Sequence, residues 1–414
     1  MPTPFHIMAK PMGAACNLAC QYCFYLEKTA LYPQSGRSRA SDPVLRSYIQ
    51  QYIASQPGSE VSFAWQGGEP TLYGLEGFRR IVAWQQEFAR GRKITNAIQT
   101  NGTLLNADWA RFFRDHQFLV GISIDGPREL HNAFRLDRRG GPTFDEVMRG
   151  LKLLRKYKVD FNTLTVVNRR NARHPGKVYD FLKKIGSRYW QFIPLVERHA
   201  APCPGTPTRQ TRPGPPPLQS APSPLQAETV EGKVTSWSVE PETFGIFLCG
   251  IFDRWVTKDV GRIFVQAFDG ALAQWMGRPG GLCVHEPTCG QALAMEHNGD
   301  IYACDHYVYE DYRRGNLLET PLEELATDPR QKAFGQAKKE GLSEKCRSCP
   351  WLFACAGGCP KHRFADDGTG QYRQNYLCPG YQRFFQHIAP AMQTMGTLWR
   401  HGQPPARIME TGIL

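Results

Sequence analysis

Short β-type runs alternate with amphipathic helical patterns over the first 200 residues, and this alternation restricts the fold more than any other feature of the chain. It is typical of a parallel sheet built from βα units. We predict six strands, at residues 5–10, 60–66, 93–100, 118–125, 159–167 and 189–196. We predict helices between them, at residues 42–55, 74–90, 106–116, 143–157 and 174–185. Asp42 followed by Pro43 predicts an N-cap with proline at the first helical position, and Thr143 with Glu146 predicts a capping box.

Two further regions follow the βα segment. Residues 201–230 contain nine prolines and few large apolar residues, which predicts a flexible linker or loop. Apolar residues at helical spacing resume at 241–258, and a last helix is predicted at 381–400. We therefore divide the chain into a βα domain at 1–200, a proline-rich segment at 201–240 and a cysteine-rich domain at 241–400.

Cysteine and polar motifs follow successive predicted strands. The first strand is followed by Cys16, Cys20 and Cys23, and the second by Gln66-Gly67-Gly68-Glu69-Pro70. The third strand ends with Gln99-Thr100-Asn101-Gly102 and the fourth with Ser123-Ile124-Asp125-Gly126. Because functional loops of parallel βα folds collect at the carboxyl ends of the strands, we expect these motifs to lie on one rim.

The cysteine triplet has the spacing C-x3-C-x2-C, and no fourth cysteine follows for about 180 residues. Three thiolates hold an iron-sulfur cube by three corners and leave the fourth iron open to a small molecule, whereas electron-transfer cubes are closed by four cysteines. A structural zinc ion is the alternative, but it needs a fourth ligand. The spacing therefore predicts a cluster that takes part in chemistry.

The triplet, with Tyr22 before its last cysteine, resembles the signature of radical S-adenosylmethionine enzymes. In that superfamily the open iron binds the amino and carboxylate groups of S-adenosylmethionine, which is cleaved reductively to a 5′-deoxyadenosyl radical that abstracts a hydrogen atom. The Gly-Gly-Glu-Pro run resembles the superfamily's methionine-binding turn, in which backbone groups and the acid meet the cofactor's ammonium. The resemblance implies S-adenosylmethionine contacts from Tyr22, Gly67, Ser123, Arg135 and Val196.

Two of these residues have an ordinary alternative when they are read without the resemblance. From the sequence alone, Ser123 can as well be an ordinary hydroxyl at the end of a strand, and Arg135 an ordinary surface arginine. A guanidinium does suit a carboxylate, because its fork forms two parallel bonds.

Cysteine usage indicates a reducing compartment. The chain has 13 cysteines, and residues 1–10 lack the long apolar segment of a secretory signal. We therefore expect metal or cluster ligation instead of disulfides, and a cytoplasmic protein. No run approaches the ~20 apolar residues that a membrane span needs. The net charge of +12 suits an acidic partner, but the basic residues form no continuous stripe, so we expect no nucleic acid and no membrane partner.

Eight cysteines in the C-terminal region suffice for two fully ligated four-iron clusters. Their spacing, C-x5-C-x14-C and then C-x2-C-x5-C-x3-C-x18-C, resembles the twin auxiliary-cluster module of peptide-modifying radical enzymes, called the SPASM domain. Spacing alone does not assign the cysteines, but the resemblance implies one cluster on Cys283, Cys289, Cys304 and Cys359, and another on Cys346, Cys349, Cys355 and Cys378. A pair of zinc ribbons is the alternative. Cys203 and Cys249 are left over and need no function.

Asp305 directly follows Cys304. A carboxylate beside a cluster can act as a general base, with a pKa set by burial and neighbouring charge, while an aspartate that caps a turn is the ordinary alternative. Cys-Asp at this position resembles anaerobic sulfatase-maturating enzymes, in which the equivalent aspartate deprotonates the substrate side chain. We expect the neighbouring His306, and His131, to be structural.

The resemblance to that family extends over nearly the whole chain, through runs such as Trp-Gln-Gly-Gly-Glu-Pro-Thr-Leu, Gln-Phe-Ile-Pro and Gly-Gly-Cys-Pro. The proline-rich insertion departs from the family pattern, and it either alters the substrate groove or is a tolerated surface loop. The implied fold is α/β: an incomplete (β/α)6 radical S-adenosylmethionine barrel with a C-terminal cysteine-rich iron-sulfur domain. The implied cofactors are three [4Fe-4S] clusters and S-adenosyl-L-methionine.

The resemblance implies oxidation of a cysteine or serine of a sulfatase to Cα-formylglycine. The deoxyadenosyl radical takes a hydrogen atom from Cβ, Asp305 takes the thiol or hydroxyl proton, and an auxiliary cluster accepts the remaining electron. The implied partners are an unfolded or nascent sulfatase polypeptide and an electron donor such as flavodoxin or ferredoxin.

Two other functions stay open at the level of the sequence. One is a radical enzyme of the same architecture that forms thioether or carbon-carbon crosslinks in another ribosomal peptide. The other is a zinc-binding nucleic-acid or scaffold protein. Metal analysis separates the zinc-binding protein from either radical enzyme, because three four-iron clusters require roughly 12 irons per chain and zinc ribbons contain none.

Overall fold

A ten-stranded sheet runs through the computed structural model, which describes residues 4–32, 38–198, 234–371 and 373–410. Its central six strands are parallel and follow chain order, each paired with the next. They are β1 (His6–Ala9), β2 (Glu60–Trp65), β3 (Lys93–Thr100), β4 (Leu119–Ser123), β5 (Phe161–Val167) and β6 (Tyr189–Pro194). Eight such units would close a barrel, and six leave it open. The predicted incomplete (β/α)6 barrel is confirmed.

Helices cover the outer face of this barrel. They are α1 (Asp42–Ser55), α2 (Leu75–Phe88), α3 (Ala107–Asp115), α4 (Arg128–His131), α5 (Phe144–Lys156) and α6 (Pro175–Lys184). The five predicted helices are all present, with ends that move by at most two residues. The single turn α4 was not predicted, because four residues are too few to show a helical period.

The predicted N-cap at Asp42 is wrong, and the predicted capping box keeps only the N-cap position of Thr143. The N-cap of α1 is Ser41, so Asp42 already lies in the helix. Thr143 does precede α5, but its side chain forms no bond to the helix backbone and the capping box is absent. Its Oγ1 instead donates to the carbonyl of Arg135 at 2.8 Å and lies 3.1 Å from His131 Nε2. A tertiary contact has replaced the local one, and it ties Arg135 to the start of α5.

Aromatic side chains fill the space between β2 and the helices that cover it. Phe63 and Trp65 stack with ring centroids 5.8 Å apart. Tyr48 of α1 and Phe78 of α2 meet Trp65 edge-on, at 6.0 and 5.8 Å. All four side chains are buried, and such pairs each contribute about 0.5–1.5 kcal/mol beyond their buried area. This layer holds the end of β2, where the turn at Gly67 begins.

Four short strands extend the sheet beyond the predicted six. They are β7 (Phe264–Val265), β8 (Ala292–Met295), β9 (Asp300–Tyr302) and β10 (Arg313–Asn316). β7 pairs with β6, and β8 pairs in parallel with β1. β9 and β10 continue the sheet in antiparallel fashion. Through the pairing of β8 with β1, the cysteine-rich region lies directly against the barrel.

The cysteine-rich region contains seven helices and a small hairpin within the residues that the structure describes. The helices are α7 (Pro241–Lys258), α8 (Gln266–Trp275), α9 (Leu322–Thr327), α10 (Pro329–Glu340), α11 (Glu344–Arg347), α12 (Leu352–Cys355) and α13 (Cys378–Arg400). The hairpin consists of β11 (Arg363–Ala365) and β12 (Gln374–Asn375). The predicted helix at 241–258 is confirmed, and the last predicted helix begins earlier, at Cys378.

Glycine allows α7 and α13 to approach each other closely. A Cβ on Gly380 would lie 2.1 Å from the carbonyl oxygen of Pro241, and a Cβ on Gly245 would lie 2.6 Å from that of Gly380. No larger residue fits at either position without displacing backbone.

Most of the predicted proline-rich segment, together with Cys203, lies outside the described residues. The described residues on either side of this segment, Arg198 and Val234, form an isolated antiparallel bridge. The domain boundaries at residues 200 and 240 stay predictions. Among the helices of the described ranges, none has the length and apolar character that crossing a membrane requires.

Candidate active site

The cysteine triplet lies on the loop that leaves β1. Cys16, Cys20 and Cys23 are close enough for their charges to act on one another, and the backbone N–H of Leu18 donates to Cys16 Sγ at 3.3 Å. Burial raises the pKa of Cys16 to about 11 and that of Cys20 to about 12. Such thiols ionise at neutral pH only when positive charge, such as that of bound iron, is placed beside them.

The turn at Gly67 and Gly68 packs directly on the start of the cysteine loop. Gly68 N–H donates to Gly13 O at 2.7 Å, and Glu69 N–H donates to Ala15 O at 2.8 Å. A Cβ on Gly68 would lie 1.9 Å from the carbonyl oxygen of Ala15. Glycine is therefore required here, since any side chain would push the cysteine loop away from the turn.

Glu69 fastens this turn to the end of β3. Its carboxylate is fully buried and accepts bonds from Thr71 N–H at 3.0 Å, Thr71 Oγ1 at 2.6 Å, Thr100 Oγ1 at 2.8 Å and Asn101 N–H at 2.8 Å. Burial raises the pKa of Glu69, and the four donors oppose that shift. The acid thus joins two of the predicted rim motifs, while its contact with a ligand ammonium stays a prediction.

An amide network that we did not predict supports Cys16. Asn101 Nδ2 donates to Asn17 Oδ1 at 2.9 Å and lies 3.8 Å from Cys16 Sγ. Asn17 Nδ2 donates in turn to Thr103 Oγ1 at 2.9 Å. Asn101 belongs to a motif noted in the sequence, but the sequence carries no signal that pairs it with Asn17.

Tyr22, Asp125 and Arg135 form a buried group beside the triplet. The Tyr22 hydroxyl donates to Asp125 Oδ2, and Arg135 Nε lies 3.0 Å from the same oxygen. The guanidinium also lies 5.5 Å from the centre of the Tyr22 ring. Burial disfavours the charge on Arg135, but Asp125, together with Tyr22 and Cys20, outweighs it and raises the pKa of Arg135. Arg135 is therefore a buried, permanent cation and not the surface arginine of the alternative interpretation.

Ser123 and Val196 lie at the ends of β4 and β6. Ser123 Oγ accepts a bond from Gln99 Nε2 at 3.0 Å. Val196 is buried in the main apolar core, whereas its neighbour Leu195 belongs to the apolar cluster that contains Cys20 and Tyr22. Side chains alternate along extended backbone, so only one of the two can face the triplet. The predicted role of Val196 stays a prediction, and Leu195 is a second candidate that we did not identify from the sequence.

Asp305 pairs with Lys10, the residue that follows β1. Lys10 Nζ contacts Asp305 Oδ1, and the two side chains are only 1% and 16% exposed. Burial opposes the charge of Asp305, but the Lys10 ammonium, with His306 and Lys361 nearby, holds the pKa of Asp305 below its usual range. Asp305 is thus a largely buried carboxylate that stays ionised. Lys10 was not predicted as a site residue, although a lysine at the end of a buried strand is unusual and indicates a charged partner.

The Lys10–Asp305 pair adjoins the cysteine loop. Lys10 Nζ lies 4.0 Å from the centre of the Tyr25 ring, two residues after Cys23. Phe24 meets the ring of His306 edge-on at 5.7 Å. The carboxylate at 305 is therefore connected through direct contacts to the segment that carries the triplet.

The eight C-terminal cysteines gather into two groups. One group consists of four thiols that lie close enough for a charge on one to raise the pKa of another: Cys283, Cys289, Cys304 and Cys359. The other group has the same relation among its thiols and lines one cavity; it consists of Cys346, Cys349, Cys355 and Cys378. These are the groups that the crossed assignment implies. Cys249 is buried in α7, and His131 is buried against Thr143.

The chemistry of these groups fits iron-sulfur clusters. No cysteine in the described ranges forms a disulfide. Each C-terminal group brings four thiols together, which is the number that closes a cube of four irons.

Two family models match the chain. The model of the Radical SAM superfamily matches residues 11–182, and a model described as an iron-sulfur cluster-binding domain matches residues 287–350.

Full-length relatives and solved structures match as well. A serine-type anaerobic sulfatase-maturating enzyme from Bacteroides thetaiotaomicron is 44% identical over 407 residues, which cover 98% of this chain and 95% of the relative. A cysteine-type anaerobic sulfatase-maturating enzyme from Clostridium perfringens is 33% identical and covers 94% of this chain and 97% of the relative. A structure of native anSMEcpe with bound AdoMet and Kp18Cys peptide superposes with a TM-score of 0.79 at 32% identity, covering 95% of this chain and 99% of that one.

Proposed function

This chain belongs to the family of anaerobic sulfatase-maturating enzymes, and we propose that it oxidises a serine of a sulfatase polypeptide to Cα-formylglycine by radical S-adenosylmethionine chemistry. The observation that carries the proposal is the largely buried, ionised Asp305, which is joined through Lys10 and Tyr25 to the loop of the cysteine triplet. A reaction that removes both a hydrogen atom and a proton from one side chain needs a base close to the radical source.

We assign the cofactor contacts as follows. Cys16, Cys20 and Cys23 hold a four-iron cluster by three corners, and S-adenosylmethionine is contacted by Tyr22, Gly67, Ser123, Arg135 and Val196. When bound, the cluster and S-adenosylmethionine supply a 5′-deoxyadenosyl radical that removes a hydrogen atom from the substrate Cβ. The buried guanidinium of Arg135 is suited to a carboxylate of the cofactor, because its position is already fixed by Asp125.

Asp305 acts as the general base. As the serine Cβ loses a hydrogen atom, Asp305 takes the hydroxyl proton, and one electron leaves, so that the alcohol becomes an aldehyde. Lys10 keeps the carboxylate ionised and orients it before the substrate binds. The geometry thus favours the catalytic interpretation of Asp305 over a turn cap, because the N-cap of the following turn is Cys304 and the Asp305 carboxylate contacts Lys10.

The two C-terminal cysteine groups bind auxiliary four-iron clusters. Cys283, Cys289, Cys304 and Cys359 hold one, and Cys346, Cys349, Cys355 and Cys378 hold the other. Each group has four thiols, which closes a cube and suits it to electron transfer. Asp305 directly follows Cys304, a ligand of the first cluster, so the group that takes the proton and the cluster that takes the electron are neighbours.

Serine is the substrate residue that the relatives favour. Three serine-type enzymes are 44%, 38% and 37% identical to this chain, whereas three cysteine-type enzymes are 33%, 33% and 32% identical. We further propose that the substrate is an unfolded or nascent sulfatase and that the protein works in the cytoplasm. The reductant is a small acidic redox protein such as flavodoxin or ferredoxin, which the net charge of +12 would attract.

Mass spectrometry of peptide incubations tests the function. The protein, reconstituted with iron and sulfide, is incubated without oxygen with S-adenosylmethionine, a reductant and one of three peptides. The peptides carry the sulfatase motif with serine, cysteine or alanine at the target position. We expect an aldehyde from the serine peptide and none from the alanine peptide. A crosslinked product, or cleavage of S-adenosylmethionine with both reactive peptides unchanged, would refute the proposed substrate while leaving the superfamily in place.

A further inference from the structure

A buried lysine lies beside the first C-terminal cysteine group. Lys338, in the last turn of α10, has no exposed surface. Its Nζ donates to the carbonyl oxygens of Cys283 at 2.6 Å and Glu286 at 2.5 Å. Lysine is almost never fully buried unless its charge is compensated. The compensating charge must therefore come from its surroundings.

The first cysteine group supplies that compensation once bound iron has ionised its thiols. Among the ion pairs of the described residues, none joins Lys338 to a carboxylate. Its charge acts instead on Cys289, Cys359 and Cys283. The lysine is thus placed to be a cation whose partner is the cysteine group as a whole.

Arg363 adds a second positive charge, but it is shared between both groups. Its Nη1 donates to the carbonyl of Lys338 at 2.6 Å, and its charge acts on Cys346 and Cys355 of one group and on Cys359 of the other. Lys338 therefore distinguishes the first group from the second more than Arg363 does.

A cation beside one cluster has a defined electrostatic consequence. A cube with four thiolates is already negative, and reduction adds one further negative charge. A buried ammonium close to the thiolates stabilises this added charge, and it does so strongly because few water molecules screen it. Neighbouring charge and hydrogen bonding are among the means by which a protein sets the potential of such a cluster.

We propose that Lys338 raises the reduction potential of the auxiliary cluster on Cys283, Cys289, Cys304 and Cys359, and so makes this cluster the first acceptor of the substrate's electron. The proposal rests on the proposed function and its cluster assignment. In the reaction, the target serine loses a hydrogen atom to the radical, a proton to Asp305 and one electron. Lys338 favours the arrival of that electron at the cluster next to Asp305. It acts through the cluster and is therefore a positioning residue.

Redox titration followed by electron paramagnetic resonance tests the proposal on the reconstituted full-length protein. Lys338→Met removes the charge and keeps the length of the side chain. Lys338→Gln removes the charge but retains two N–H donors for the two carbonyl oxygens. Lys338→Arg retains the charge. Lys339→Met is the matched control, since Lys339 is the next residue of the same helix and is exposed.

We expect both neutral variants to shift one midpoint potential downward and to leave the other two unchanged. We expect Lys338→Arg and Lys339→Met to keep all three potentials of the wild type. An unshifted potential in both neutral variants, or an equal shift in the Lys339→Met control, would overturn the proposal. Loss of four irons in both neutral variants would also overturn it, because Lys338 would then be needed for assembly and not for tuning.

The wild type distinguishes this inference from the proposed function. A wild-type protein without auxiliary clusters contradicts the cluster assignment and with it the proposed function. A wild-type protein with three clusters, together with unshifted variants, contradicts the role of Lys338 alone.

Discussion

Lys10 and Asp305 form a largely buried ion pair, although 295 residues separate them in the chain. The pair exists because β8 joins the sheet beside β1 and carries the cysteine-rich region with it. The barrel supplies the cation and the cysteine-rich region supplies the carboxylate, so that the proposed base has its partner only when the two parts are docked.

Replacing the base separates hydrogen-atom transfer from product formation. We expect Asp305→Asn to retain its clusters and to cleave S-adenosylmethionine, but to form aldehyde about 10²–10⁴-fold more slowly, because the hydroxyl proton has no acceptor. Chromatography of 5′-deoxyadenosine and mass spectrometry of the peptide measure the two reactions. Aldehyde at the wild-type rate would remove Asp305 from the mechanism.

Replacing Lys10 tests whether the base needs its partner. In Lys10→Met the carboxylate loses its main counter-charge and its fixed position, and we expect aldehyde formation to fall by about 10²-fold while the iron content is unchanged. Lys10→Arg keeps the charge and is the control, with a smaller loss expected. Equal rates for the methionine variant and the wild type would show that the ion pair is not part of the site.

Removing one cysteine of the triplet tests the cluster that cleaves S-adenosylmethionine. We expect Cys16→Ala to abolish cleavage and to lower the iron content from about 12 to about 8 per chain, because only the two closed clusters remain. Cys249→Ala is the matched control, since Cys249 lies buried in α7 and belongs to neither C-terminal group. Cleavage retained in Cys16→Ala would overturn the assignment of the triplet.

The close contact between the glycine turn and the cysteine loop can be tested by adding a Cβ at Gly68. In Gly68→Ala the added Cβ would lie 1.9 Å from Ala15 O, so the loop must move. We expect this variant to lose about 1–3 kcal/mol in free energy of unfolding and most of its S-adenosylmethionine cleavage. In Gly58→Ala the added Cβ makes only ordinary contacts, the nearest 3.6 Å from Glu60 O. Thermal unfolding and the cleavage assay should show this control unchanged.

The barrel was predictable because its helices and strands are long enough to show their periods. The four strands that extend the sheet are two to four residues long, and such lengths carry no period. Missing β8 meant missing the contact between the two parts of the chain. The predicted capping box failed for a related reason, since the Thr143 side chain bonds to Arg135 and not to its own helix.

The chemical groups of the site were predictable, but their partners were not. Cysteine spacing and the Gly-Gly-Glu-Pro turn are local patterns and can be found in one sequence. Lys10, Asn17 and Lys338 act through contacts with residues far away in the chain, and no local pattern encodes such contacts. The choice between Val196 and Leu195 depends on which side of the strand end faces the triplet, a difference of one residue in register.

Isotope transfer tests the central claim most directly. A sulfatase peptide whose target serine carries deuterium in place of both Cβ hydrogens is incubated with the reconstituted protein, S-adenosylmethionine and a reductant. We predict that one deuterium appears in 5′-deoxyadenosine and that the peptide is recovered as the aldehyde with the other. Aldehyde formed together with deuterium-free 5′-deoxyadenosine would contradict the account.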